Sequence, residues 1–147
     1  KALPEERELR FHKDVRSIKW DDLLINPAIS ALFYDGDERI QLRIKGKAVL
    51  HHGNDITAKA WETTTLSSRK CYLTLHSPSS FTDSSTSGLS KDIEQEKFTL
   101  LESEAGYANF GIVSIQVQSI DWLWLNHAGH RRAFFDYEKE SYQWMIP

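Results

Sequence analysis

Apolar and polar residues alternate at both ends of the chain, with helical spacing between them. Glu8 to His12 predicts a short strand with Leu9 and Phe11 on one face. Arg16 to Ile25 predicts a short helix with Asp14 or Ser17 as its cap, stopped at Asn26-Pro27. Ala28 to Tyr34 and Arg39 to Leu50 predict two strands joined through the turn Asp35-Gly36-Asp37. In the second, Ile40, Leu42 and Ile44 alternate with Gln41, Arg43 and Lys45 until Gly46, which predicts a bulge or bend. Asn54 or Asp55 caps a predicted helix running to about Thr63. Further helices are predicted over Ser67 to Leu75 and Lys91 to Glu102, around a Ser/Thr-rich loop from Ser77 to Ser90. Phe110 to Val117, Ser119 to Leu125, Arg131 to Tyr137 and Tyr142 to Ile146 predict four closing strands. Strands, a helical middle and strands again, with no βαβ repeat, predict an α+β fold. Its sheet is mainly antiparallel and curled into a small barrel.

Composition narrows the function classes. The 147 residues suit one domain, with 40% hydrophobic and 27% charged side chains in a normal globular balance. The net charge of −3 gives no global attraction to nucleic acid, so any anion site must be local. The single Cys71 excludes an internal disulfide framework and suits a reducing compartment. No apolar run approaches the roughly 20 residues that span a bilayer, so a soluble cytoplasmic protein is expected. His51-His52 and the His127/His130 pair lack other ligands at fixed spacing and predict surface turns, with no metal site. Cys71, beside Tyr72 and Leu73, is expected to be buried and structural.

The sharpest chemistry lies in His12-Lys13-Asp14-Val15-Arg16-Ser17-Ile18-Lys19, where a strand runs through a turn into a helix. Free backbone amides and the positive end of the helix dipole favour an anion there. Arg16 offers a fork, Lys19 a point charge and Ser17 a hydroxyl, a donor set that matches a terminal phosphate. The same residues also suit a solvated surface on which Arg16 or Lys19 pairs with Asp14, Asp21 or Asp22.

The run FHKDVRSIKWDDLLINP, Phe11 to Pro27, resembles the flavin-phosphate segment of the pyridoxamine 5'-phosphate oxidase-like proteins. Glu38 to Ala48 is similar to that family's strand with a flavin-contacting glutamine and a Gly-Lys-Ala ending. The resemblance covers nearly the whole chain, strongly over residues 11–50 and more loosely over 110–147. It implies a split β-barrel, one domain over residues 1–147, and a homodimer with FMN in a groove between subunits. The family's upstream phosphate strand would precede Lys1, so part of the barrel is expected outside this sequence.

Carried over by position, Arg16, Ser17 and Lys19 would hold the phosphate, with His12 and Lys13 at the strand end and Gln41 at the ring. Trp122 and Arg132 would reach the flavin of the neighbouring subunit, with Trp124 or Arg131 as the alternative after a one-residue shift. At the oxidase's substrate-phosphate positions stand Ala60 or Trp61, Thr64 and Ser68, so only the serine is kept. Ser68 would bind substrate, or the Ser67-Ser68-Arg69 run would cap the following helix. The resemblance implies an FMN-dependent oxidoreductase acting on a small molecule, and the replaced anchors argue against a phosphorylated vitamin B6 as that substrate. A non-catalytic flavin-binding carrier or sensor is the alternative, and a barrel that has lost its cofactor and serves dimerisation is the third reading.

Overall fold

A computed structural model describes residues 2–3, 5–95 and 97–147. Seven strands lie in one hydrogen-bonded sheet: β1 Ala2–Leu3, β2 Glu8–Asp14, β3 Ala28–Asp35, β4 Ile40–His52, β5 Phe110–Trp124, β6 Arg131–Asp136 and β7 Ser141–Met145. Their order is β1-β2-β5-β4-β3, with β6 beside β5 and β7 beside β6. No described pairing closes the ends of that order. The chain forms two compact units. The first holds Lys1–Arg10, Pro27–Val49 and Ser114–Pro147, and the second holds Phe11–Asn26 and Leu50–Val113. The fold is α+β with a mainly antiparallel sheet, as the alternation predicts.

In the first unit, β3 and β4 form a hairpin in unbroken register from Ala28↔Lys47 to Asp35↔Ile40. Asp35 closes the turn by accepting from the amides of Asp37 and Glu38, both at 3.0 Å. Gly46 lies within that continuous register, opposite Ile29, so it marks no bulge. A Cβ there would sit 2.2 Å from the Gln116 carbonyl oxygen, and close backbone approach is what requires glycine. The two strands expected over 110–125 are one 15-residue strand, because Gln118 continues the ladder rather than breaking it. β6 pairs with its last stretch, Ser119 to Trp124, and β7 extends the meander.

In the second unit, α1 (Ile18–Ile25) buries Trp20 and Leu23 and ends where Asn26, before Pro27, turns extended. Gly111 lets the Trp20 ring close in; a Cβ would meet it at 2.6 Å. α2 (Asp55–Thr63) starts at Asn54 through a reciprocal capping box with Thr57. Its Trp61 joins Tyr72, Phe110 and Ile112 in a buried cluster, where Trp61 and Tyr72 each place their ring 5.0 Å from that of Phe110. Burial there pushes the Tyr72 phenol up to about 12.

The helices expected over 67–75 and 91–102 are shorter than predicted. The first is α3 (Leu66–Arg69) followed by a 3-10 turn over Lys70–Tyr72. The second divides into α4 (Lys91–Glu94) and α5 (Leu100–Ser103), with Glu96 outside the described residues. Local capping accounts for the break. Thr99 and Glu102 form a capping box, and so a new helix begins at Leu100.

Candidate functional site

The strand-to-helix turn is built from residues 12–19 of the second unit. The helix α1 starts at Ile18, two residues later than predicted, and Ser17, one of the two expected caps, is its N-cap with φ −84° and ψ 146°. Its side chain does not cap. The Oγ is buried, with the residue only 3% exposed, and finds no hydrogen-bond partner among the described residues. The preceding amides are occupied: Val15 donates to the Asn109 carbonyl, Arg16 to Asp14 Oδ1 and Ser17 to the Asp14 carbonyl. The amides of Ile18 and Lys19 open the helix and have no intrahelical acceptor. Lys19 is exposed and makes no ion pair among the described residues. These donors and the helix dipole converge on one turn, and an unpaired buried hydroxyl is costly unless something accepts from it.

Arg16 is placed differently from its neighbours. It grips Asp14 through Nε at 3.0 Å and Nη2 at 2.7 Å. It also donates to the Thr74 carbonyl and to Thr74 Oγ1, both at 2.9 Å. The pairing with Asp14 holds the guanidinium above its ordinary pKa. The expected phosphate fork is therefore spent within the protein. His12 keeps an exposed edge while its ring packs edge-on to Phe110 at 4.8 Å, and desolvation lowers its pKa. Lys13 is half-buried.

Gln41 lies on β4 of the first unit. With its amide oxygen turned to Arg43, it accepts from Nε at 2.6 Å and Nη2 at 3.0 Å. The amide nitrogen is then the group it offers elsewhere. The register sets Trp122 opposite Ala133 and Arg132 opposite Leu123, so Trp122 and Arg132 project from opposite faces. Arg131, opposite Trp124, shares the tryptophan face. Arg132 forms a two-point pair with Asp121 at 2.9 and 2.7 Å, which holds that carboxyl below its usual range. Trp122 meets the exposed Trp144 edge-on at 6.3 Å.

In the helical middle, Ser68 accepts from Thr65 Oγ1 at 2.9 Å, and Thr65 is the residue that caps α3. Thr64 donates its hydroxyl to the Ala60 carbonyl at 2.8 Å. Arg69, expected only as part of a capping run, lies inside α3 with Thr65 as the cap and is 3% exposed. It donates to the Thr64 and Trp61 carbonyls at 3.1 and 2.7 Å, to Ser103 Oγ and to Glu104. Its guanidinium carbon also lies 4.5 Å from the Trp61 ring centroid. The signal was its place between a cap and the apolar Tyr72-Leu73 pair.

Cys71, expected to be buried, is exposed. The short 3-10 turn directs Tyr72 inward and leaves Cys71 on the wall of a cleft of about 770 Å³ beside the Ser-rich loop. His127 and His130 lie in an exposed turn, and no metal-binding cluster occurs among the described residues.

No protein-family model matches the chain, and no curated protein does. Solved structures do match. A pyridoxamine 5'-phosphate oxidase-related, FMN binding protein from Nostoc punctiforme PCC 73102 superposes with a TM-score of 0.79 at 18% identity. The match covers 100% of this chain and 77% of that one. PhzG from Burkholderia lata 383, solved in complex with tetrahydrophenazine-1-carboxylic acid, matches with a TM-score of 0.64 at 15% identity. It covers 96% of this chain and 69% of its own. At these identities the shared property is the fold.

Proposed function

We propose that this chain, which has the fold of a pyridoxamine 5'-phosphate oxidase-related FMN-binding protein, binds FMN and serves as an oxidoreductase. The buried, unpartnered Ser17 hydroxyl carries the reading. It sits at a helix start beside two amides and a lysine that have no partner among the described residues, a donor set that fits a phosphate monoester. Ser17, Lys19 and the amides of Ile18 and Lys19 would hold the phosphate, with His12 and Lys13 at the strand end. Gln41 is proposed as a donor to a flavin ring on chemical grounds. Arg131, Trp122 and Trp124 share a sheet face and are proposed as ring contacts, displacing the pair Trp122 and Arg132.

Bound flavin would supply hydride and electron chemistry; the side chains named here bind and orient. The substrate is proposed to be a small molecule without a phosphate. Thr64 and Ser68, at the oxidase's substrate-phosphate positions, are hydrogen-bonded within the protein, and the neighbouring Arg69 commits four hydrogen bonds to the protein itself. PhzG, of the same fold, was solved with a carboxylic acid. Those satisfied residues equally favour a second reading, a flavin carrier or sensor without turnover. No helix among the described residues is long and apolar enough to cross a membrane; a cytoplasmic homodimer is proposed.

The test is the visible spectrum of the purified protein, with the released cofactor identified by mass. A flavin spectrum with FMN released is expected. A colourless protein that also refuses added FMN overturns the proposal. Anaerobic reduction of the bound flavin by amines or nicotinamides then separates enzyme from carrier: no reduction by any donor leaves the carrier reading.

A further inference from the structure

Arg16 is by type the strongest phosphate ligand in the turn, yet four of its donor contacts run to Asp14 and Thr74. We propose that Arg16 is a positioning residue. It cancels the charge of Asp14 and ties the turn to Thr74, keeping the donors of Ser17, Ile18 and Lys19 ordered and open to a phosphate. This rests on the reading of the turn as a phosphate site.

The electrostatic half follows from Asp14. Its residue is 6% exposed, and its carboxylate accepts from the Arg16 amide at 2.8 Å as well as from the guanidinium. Its own carbonyl accepts from Ser17 N at 3.2 Å, so the carboxylate belongs to the same tight turn as the free donors. A buried carboxylate without a cation would repel a phosphate dianion at that distance. Arg16 removes the repulsion while leaving the anion to the other donors.

The mechanical half follows from Thr74, 58 residues away in sequence. Its Oγ1 accepts from Arg16 and donates to the His76 carbonyl at 2.9 Å. The next residue, Leu75, donates its amide to the Gly88 carbonyl at 2.8 Å and so closes the neck of the Ser-rich loop. Gly88 has φ +72°, and a Cβ there would lie 3.7 Å from Thr74. One arginine therefore joins the anion turn to the neck. By thermodynamic reciprocity, a ligand that orders the turn tightens the neck.

The experiment measures FMN and riboflavin affinity by flavin fluorescence, with inorganic phosphate titrated in parallel against the backbone amides of Ile18 and Lys19 by NMR. Arg16→Ala is expected to weaken FMN by at least about 10-fold and riboflavin far less, on the scale of a charge-assisted contact. Adding Asp14→Asn to Arg16→Ala is expected to restore most of the loss, because the repelling charge is gone. A direct phosphate ligand admits no such rescue, so failure of Asp14→Asn to restore affinity overturns the proposal. That double variant buries no unpaired charge and serves as the folded reference if Arg16→Ala is unstable. Thr74→Val, which removes the hydroxyl contacts and keeps the one to the carbonyl, is expected to reduce FMN-induced protection of the Leu75 amide from hydrogen exchange. Unchanged protection overturns the coupling. If phosphate shifts Ile18 and Lys19 while FMN does not bind, the flavin function falls and the same variants judge Arg16 with phosphate. If neither ligand shifts those amides, both proposals fall.

Discussion

Ser17 sets the chemistry of the turn at the smallest scale. A buried hydroxyl without a partner costs about 1–3 kcal/mol, and accepting from it is what a bound phosphate would do. Ser17→Ala is therefore expected to leave the melting temperature of the ligand-free protein unchanged or higher. The same change is expected to weaken FMN roughly 10- to 100-fold, the equivalent of one charge-assisted hydrogen bond. Calorimetry and flavin fluorescence measure the two halves, and a lower melting temperature with unchanged affinity would assign Ser17 to packing alone. Ser114 offers the contrast. Its Oγ is also buried and unpartnered among the described residues, but Ser114 lies within the continuous strand β5 and caps no helix. Ser114→Ala is expected to stabilise the fold by about 1 kcal/mol in urea denaturation, with no effect on flavin. The turn was legible in sequence because its donors are local, spaced over eight residues. The role of Arg16 was not, because its second partner, Thr74, is brought to it only by the fold.

Between elements, Arg69 holds the helical middle together. One side chain joins α2, α3, α5 and the 3-10 turn after α5 through the Trp61 and Thr64 carbonyls, Ser103 and Glu104. Arg69→Ala would strip the buried Thr64 carbonyl of its guanidinium donor, leave the Trp61 carbonyl with the Thr64 amide alone, and open a cavity beneath Trp61. A loss of about 3 kcal/mol or more is expected in denaturant melts, most of it from those groups because Glu104 is half-exposed and screened. A fall under about 1 kcal/mol would show that the helices pack without it.

The same cluster predicts an acid sensitivity. Hydrogen bonds from Trp61, then from Arg69, hold the Glu104 carboxyl below its ordinary 4.5. A depressed folded pKa adds stability that is complete above 4.5 and lost as pH falls through the folded value. Glu104→Gln should flatten the stability profile below about pH 4.5 and leave its slope near neutrality unchanged. Strand positions and the Asn54 cap were readable from alternation and local capping. The broken helices over 91–102 were not, since a capping box at Thr99 outweighed an apolar pattern that ran straight through it.

At the scale of the whole molecule, two edge strands of the first unit, β3 and β7, pose a problem that a second copy would solve. β3 is the last strand in the sheet order, and among the described residues β7 pairs with β6 alone. Neither carries a lysine, an arginine or a proline, and Asp35 is the one charged residue between them. Natural edges are usually blunted by such groups or covered, because a bare strand recruits another chain. Here Leu32 is 66% and Trp144 76% exposed, with Tyr34, Tyr142 and Ile146 exposed beside them on the same two strands or their ends. Cover by a second copy would bury these side chains, as the proposed homodimer with flavin between its subunits requires. Leu32→Glu with Trp144→Lys is expected to convert a dimer to a monomer in sedimentation equilibrium, with the secondary structure retained by circular dichroism. The monomer is also expected to lose flavin on gel filtration while still binding inorganic phosphate at Ile18 and Lys19, because the turn proposed to hold the phosphate belongs to one chain. A wild-type protein that sediments as a monomer and still retains flavin would place the whole cofactor site within one subunit. A dimer that survives both substitutions would move the interface off these edges.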